Sequence, residues 1–152
     1  MTTLSGVTFG AFDLLHVGHI IFLRRAKEYL GENGELTVGL HIDPSIERPE
    51  KNKPVQSVFE RYIQLGHLNC VDKIIPYATE QELDYILRTF KFDKRFLGDE
   101  YQNDWAFKRV GSQNTCVSLK TDIVFIPRFH HYSSSELRNR IQQNFISKGK
   151  YD

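Results

Sequence analysis

Val7-Thr8-Phe9-Gly10-Ala11-Phe12-Asp13-Leu14-Leu15-His16-Val17-Gly18-His19 decides how this chain is read. An apolar run suited to a buried strand meets Gly10. The chain then passes two histidines into a segment with Leu23, Ala26 and Leu30 at helical spacing. Strand, turn and helix start are thus joined by a stretch dense in polar chemistry. In an α/β protein such a joint attracts anions, because unpaired backbone N–H groups and the positive end of the helix dipole point toward it.

Outward from that joint, Leu4 to Gly10 reads as the first strand. After Gly31 and Gly34, Glu35 to His41 reads as the second, and strand, helix, strand in this order predicts a right-handed unit with parallel strands. Val71 to Pro76, Phe92 to Leu97 and Ile123 to Pro127 read as three more. Ser57, Thr79 and Ser133 each precede a glutamate (Glu60, Glu82, Glu136) at capping-box spacing, and so mark helix starts. The expected core contacts are Val58, Tyr62, Leu65 and Leu68 in the first of these helices, Leu83, Ile86, Leu87 and Phe90 in the second, and Leu137, Ile141 and Phe145 in the last. Arg24, Arg25, Lys27 and Glu28 are expected to turn outward. Ile42 to Val55, with Lys51 and Lys53, lacks periodicity and reads as a long loop of the kind that carries binding elements or lids. Between 101 and 121 the pattern is least legible: Tyr101, Trp105, Ala106 and Phe107 suit one helical turn, and Gly111-Ser112-Gln113-Asn114 suits a turn. Arg95 is awkward in a central strand. Either its face is partly open or the side chain reaches the surface along its stem.

About five strands separated by helices predict an α/β fold, a Rossmann-like open parallel sheet with helices on both faces. A length of 152 residues suits a single domain, with a core from about 4 to 146 and a tail that frays from Ser147. In such sheets ligands bind outside the carboxyl ends of the strands, where the strand order reverses. The suggestive residues all fall there: Gly10 to His19 after the first strand, Gly98, Asp99 and Glu100 after the fourth, and Arg128 to Ser135 after the last.

A net charge of +1 provides no strong positive field, so no nucleic-acid partner is expected. No apolar run is long enough to span a bilayer, so no membrane role is expected, and the first residues lack the basic and apolar regions of a secretory signal. A cytoplasmic location follows as the expectation. Cys70 and Cys116 lack metal-ligand spacing and read as buried thiols.

His16 and His19 stand three apart, on one face of the helix if it has begun, with Gly18 between them leaving room for a ligand near the backbone. Imidazole N–H groups there would donate to phosphate oxygens, most strongly where charge builds up in a transition state. Zinc is the other reading of two histidines, but a third ligand would have to be remote. Asp13 would either cap the helix or help hold Mg²⁺ between phosphates. Lys51 and Lys53 are surface charges that a moving loop would bring onto a phosphate. Arg128 with Ser133, Ser134 and Ser135 makes a second anion cradle at a helix start. His130 and His131 lie at the pocket rim or in solvent. No serine or cysteine sits at a nucleophile elbow, which favours chemistry without a protein nucleophile.

Gly10 to His19 resembles the motif of the HxGH nucleotidyltransferases, in the cytidylyltransferase branch that contains glycerol-3-phosphate cytidylyltransferase. Arg61, Val71 to Pro76, Phe96-Leu97-Gly98-Asp99, and Pro127-Arg128 leading to Ser133-Ser134-Ser135 also match in order and approximate spacing. The last of these resembles the family's Arg-x-x-x-Ile-Ser-Thr-Thr motif. The resemblance covers roughly residues 6 to 142. It implies transfer of CMP from CTP to a small phosphorylated alcohol, with glycerol 3-phosphate favoured, pyrophosphate released and Mg²⁺ as cofactor. ATP-dependent adenylyl transfer and a catalytically silent nucleotide-binding regulator are the alternatives. The resemblance further implies that His16 and His19 contact the nucleotide phosphates and that Lys51 or Lys53 adds charge. Arg128 and Ser133 to Ser135 would hold the β and γ phosphates. The loop residues Phe9, Gly10, Ala11, Phe12, Asp13 and Gly18, with Arg61, Gly98 and Asp99, would contribute to the nucleotide or acceptor pocket. Relatives of this kind are usually homodimers. The chain departs from the pattern at Ala11, in place of Thr, at His131, in place of Gly, and at Arg95, in place of an apolar residue.

Overall fold

A computed structural model describes residues 3–102 and 112–149. Five strands, β1 (Ser5–Gly10), β2 (Glu35–His41), β3 (Lys73–Tyr77), β4 (Lys94–Gly98) and β5 (Asp122–Ile126), form one sheet in the order β3-β2-β1-β4-β5. Every neighbouring pair is parallel. Among the described residues the helices are α1 (Val17–Leu30), α2 (Val58–Gly66), α3 (Glu80–Phe90), α4 (Ser112–Ser118) and α5 (Ser134–Ser147), with a 3₁₀ turn at Asp99–Tyr101. The chain winds outward from β1 to β3, then crosses back to lay β4 on the other side of β1. The order reverses between β1 and β4, and that is the switch point at which an open α/β sheet leaves a crevice.

Strand alternation divides the core between the two faces. Leu36, Val38 and Leu40 of β2 join Leu23, Ala26 and Leu30 of α1, Leu65 of α2 and Phe96 of β4 on one face. Val7 of β1 and Tyr77 of β3 join Leu83, Ile86 and Leu87 of α3 and Cys116 of α4 on the other. Gly39 is needed on that second face, because a Cβ there would lie 2.2 Å from Cδ1 of Phe9.

Several expectations change. β3 runs through Pro76 to Tyr77; as an edge strand it tolerates the missing N–H. In α2 the buried residues are Arg61 and Leu65, while Tyr62 is exposed. Phe90 is half exposed and stacks on Phe92, at 5.8 Å between ring centroids, while Phe92 takes the core position. The turn expected at 111–114 is replaced by α4, which begins at Ser112. Trp105, Ala106 and Phe107 lie outside the described residues. Cys70 is only half buried, whereas Cys116 is fully buried. α5 has no buried residue, and Ile141 and Phe145 are exposed. Its capping box is half made: Ser133 Oγ accepts from Glu136 N, but the Glu136 carboxylate pairs with Arg140. No helix among the described residues is long and apolar enough to cross a membrane.

Candidate active site

Between β1 and α1 the backbone takes the left-handed region twice without glycine, at Phe12 (φ 49°) and Leu14 (φ 50°). Such conformations persist only where surrounding contacts over-determine them. Here Asp13 provides those contacts. Its carboxylate accepts from Val55 N (2.8 Å), Gln56 N (2.9 Å) and Arg138 Nη2 (2.7 Å), while Leu14 N donates to Gln56 Oε1 at 2.8 Å. Burial works against the Asp13 charge, but the two backbone donors and Arg138 outweigh it and hold the carboxyl below the usual carboxylate range. Asp13 therefore neither caps α1 nor lines the cleft; it locks the loop.

The cap of α1 is His16. Its Nδ1 accepts from Gly18 N at 3.0 Å, and His19 Nδ1 accepts from His16 N at 3.3 Å, a capping box built from two imidazoles. The rings stack with centroids 3.8 Å apart. An Nδ1 that accepts a hydrogen bond carries no proton, so a neutral ring there keeps its proton on Nε2 as a donor. Burial, with the neighbouring His16, pushes His19 down to about 3. Burial and the nearby Arg128 and His130 also lower His16. Both rings are thus neutral Nε2–H donors near neutral pH.

Gly18 has a different reason from the one expected. A Cβ there would lie 2.8 Å from Cε1 of His16 and 2.9 Å from Cε1 of His130, so the space is filled by these two rings and not kept for a ligand. His130 accepts from Tyr132 N through Nδ1 at 3.2 Å and lines the cleft, whereas His131 is exposed. Arg128 donates to the Tyr132 carbonyl, Ser133 caps α5, and Ser134 Oγ donates to Asp13 O at 3.2 Å.

These groups share one cleft of about 380 Å³ over the carboxyl edge of the sheet. Phe9, Gly10, Ala11, Phe12, His16, Gly18, His19, Gly98, Arg128, Ser133 and Ser134 line it. Asp13, Lys51, Lys53, Arg61, Asp99 and Ser135 do not. Lys51, Lys53, Asp99 and Ser135 are exposed. Arg61 is 2% exposed, and its guanidinium donates to the carbonyls of Gln56 (3.1 Å), Ala11 (2.9 Å), His41 (2.7 Å) and Ile42 (2.7 Å). It braces the ends of β1 and β2 from beneath instead of facing a ligand.

Three arginines that the sequence reading did not assign to the pocket line this cleft: Arg25, Arg48 and Arg95. Arg25 was legible, because Gly18, Ile21, Phe22 and Arg25 form a stripe along one face of α1. Arg95 does not reach the surface along its stem; it is 4% exposed, at the floor of the cleft that partly opens its face of the sheet. With Arg128, these arginines outnumber Glu80 and Glu100, the two carboxylates that line the cleft among the described residues, so the described lining favours a polyanion. Among the described residues no group of three histidine, cysteine or acidic side chains gathers to hold a metal ion, and Asp13 is engaged by three donors.

An open parallel sheet with a rigid histidine pair and an arginine-rich cleft at its switch point defines an anion-receiving α/β protein. Residues 7–140 match the cytidylyltransferase-like family, and the chain belongs to it. It is 31% identical over 142 residues to the bifunctional protein HldE of Helicobacter hepaticus, covering 93% of this chain and 27% of that protein. It is 29% identical to the FAD synthase of Korarchaeum cryptofilum over 91% of each chain, and 45% identical to that of Thermococcus sibiricus over 45% of each. The chain thus spans about a quarter of the HldE protein and nearly all of the Korarchaeum enzyme. In fold it is similar to the lipopolysaccharide core biosynthesis protein of Thermoplasma volcanium, with a TM-score of 0.64, 23% identity and coverage of 87% of this chain and 100% of that one.

Proposed function

We propose that the protein transfers CMP from CTP to a small phosphorylated alcohol, glycerol 3-phosphate being the favoured acceptor, and releases pyrophosphate. The observation that carries this reading is the stacked, neutral His16–His19 pair, with both Nδ1 atoms occupied by backbone donors and both Nε2–H groups left to donate. An oxygen of the acceptor phosphate forms a bond to the α-phosphorus while the bond from that phosphorus to the bridging oxygen of the β-phosphate breaks. Pyrophosphate leaves with the electron pair. A phosphate monoester, with its second pKa at roughly 6, is largely deprotonated near neutral pH, so no protein base is required.

His16 and His19 stabilise the charge on the α-phosphate oxygens. Arg128, Ser133 and Ser134 hold the β and γ phosphates, and Arg25 adds charge from α1. Lys51 and Lys53 act only when their loop closes. Asp13 and Arg61 act through the backbone around the pocket. Mg²⁺ arrives as part of the magnesium–nucleotide substrate, held mainly by the phosphates. ATP is the second reading, favoured by the Korarchaeum FAD synthase, whose name states an adenine dinucleotide product. A homodimer is part of the proposal, with the exposed Ile141, Phe145 and Ile146 of α5 as the apolar surface available to it.

Pyrophosphate release, measured for each nucleoside triphosphate against a panel of phosphorylated alcohols, tests this reaction. CTP with glycerol 3-phosphate is expected to give the highest kcat/KM. No release with any pair, from protein that binds nucleotide, would overturn the enzyme reading.

A further inference from the structure

The segment that leaves β5 brings into the cleft a histidine to which the nucleotide contacts above give no role. Arg128, His130 and Tyr132 line the cleft, whereas Phe129, 79% exposed, and His131 turn away from it. This alternation is that of an extended chain, whose successive side chains point to opposite sides. It carries His130 inward between Arg128 and Ser133 and sets it against the start of α1. There the Cε1 atoms of His16 and His130 lie 2.8 and 2.9 Å from the point that a Cβ on Gly18 would take, so the two rings flank one glycine. Charge on His130 is felt at His16: after burial and Arg128, it is the next influence that lowers the His16 imidazole.

Two contacts fix the His130 ring. Its Nδ1 accepts from Tyr132 N at 3.2 Å, and the Tyr132 ring packs beside it at 5.6 Å between centroids, tilted by 34°. The first contact sets the tautomer, because in a neutral ring an accepting Nδ1 leaves the proton on Nε2. Among the described residues nothing receives the hydrogen bond that this Nε2–H can donate. Holding the turn needs only Nδ1, a task that the side-chain carbonyl of an asparagine would also perform. It gives no account of a second, donating nitrogen at the cleft wall.

We propose that His130 is a third catalytic imidazole, whose Nε2–H donates to the oxygen bridging the α and β phosphates; the assignment rests on the reaction proposed above. Its place follows from its neighbours. On that reading His16 and His19 meet the α-phosphate, Arg128 and Ser133 hold the β and γ phosphates, and His130 adjoins both sets. Transfer passes through a loose transition state, in which the bond to the leaving oxygen is largely broken and that oxygen gains negative charge. A fixed donor aimed at this atom lowers the barrier more than it tightens ground-state binding. The proton stays on Nε2, and pyrophosphate departs with the electron pair.

His130→Asn, His130→Ala and His130→Gln separate the two roles of the ring. Asparagine keeps an acceptor where Nδ1 stands but has no group at the Nε2 position, whereas the glutamine amide carries an N–H out to it. Turnover is measured with the nucleoside triphosphate that the protein uses, CTP on the proposed reading, and with its β,γ-difluoromethylene and β,γ-methylene analogues. Their leaving groups are respectively less and more basic than pyrophosphate. The asparagine and alanine variants are expected to lose at least about tenfold in kcat, with glutamine recovering part of it. The loss should be largest for the methylene analogue and smallest for the difluoromethylene one. An asparagine variant as active as the native protein, a glutamine variant no better than alanine, or a loss independent of the leaving group overturns the assignment. If neither analogue reacts, the contrast between asparagine and glutamine decides. If the native protein turns over no triphosphate, calorimetric binding of pyrophosphate with magnesium decides. Weaker binding by the asparagine than by the glutamine variant then supports the contact and places the failure in the reaction reading. Equal binding by all the proteins, or none by the native one, overturns it. Should His130→Ala fail to fold, the other two variants are held to the same criteria.

Discussion

Removing either imidazole of the His16–His19 pair is expected to cost more than one hydrogen bond, because each ring also caps the same helix. His16→Ala and His19→Ala should each lower kcat by about 10²- to 10³-fold, the scale set by loss of one oxyanion donor. Nucleotide affinity should fall far less; a loss of affinity with kcat unchanged would show uniform binding instead. The same burial makes stability depend on pH. His19 titrates near 6.5 when unfolded and at about 3 when folded, so the unfolded chain takes up a proton that the folded one refuses. Its contribution is present above about pH 6.5 and is lost as pH falls toward about 3, at no more than roughly 1.4 kcal/mol per unit. His16 and His41 are lowered too and act in the same sense. Urea denaturation between pH 7 and 5 should show the decline, His19→Gln should reduce it, and a flat profile would refute the assignment.

At the scale of elements, α5 contributes no buried side chain, yet its first turn has to sit over the histidine loop. Two contacts hold it there, Ser134 Oγ to Asp13 O and Arg138 to the Asp13 carboxylate. Asp13→Ala strands Arg138 and the N–H groups of Val55 and Gln56, and should cost about 3 kcal/mol. Arg138→Ala leaves Asp13 with both backbone donors, and the arginine side chain is already 28% exposed, so about 1 kcal/mol is expected. Denaturant titration of both single variants and the double variant measures the coupling. Equal costs would mean that Asp13 serves only the α5 latch and not the loop. Arg138→Ala should also raise KM for the nucleotide more than it lowers stability.

Across the whole molecule, the cleft unites segments remote in sequence, so a nucleotide that spans them must stabilise the fold by mass action. Thermal unfolding with magnesium and each triphosphate is expected to show the largest upward shift with CTP. At a hundredfold excess over Kd the gain is about 2.7 kcal/mol. A larger shift with ATP would transfer the base assignment to the second reading. On the proposed reading the histidine motif does not reveal that choice, because there it meets phosphate and leaves the base to other walls of the cleft.

Short-range patterns were legible in the sequence. Periodicity marked out β2 from Glu35 to His41, the Ser57 and Thr79 capping boxes located two helix starts, and strand alternating with helix predicted the parallel open sheet. The clustering of His16, His19, Arg128 and Ser133 at strand ends was legible for the same reason: topology carries those ends to one edge. Side-chain commitments were not. Arg61 looked like a pocket arginine until its guanidinium met carbonyls at Ala11, fifty positions away, and at His41 and Ile42. Asp13 suited a cap or a metal ligand until Val55, Gln56 and Arg138 converged on it. Sequence by itself determined the fold class, the cleft's location and the histidine motif, because those follow from local periodicity and chain order. Tertiary structure alone decided which charges face the cleft and which brace it, because a polar side chain's role is set by the donors and acceptors that folding brings within about 3 Å.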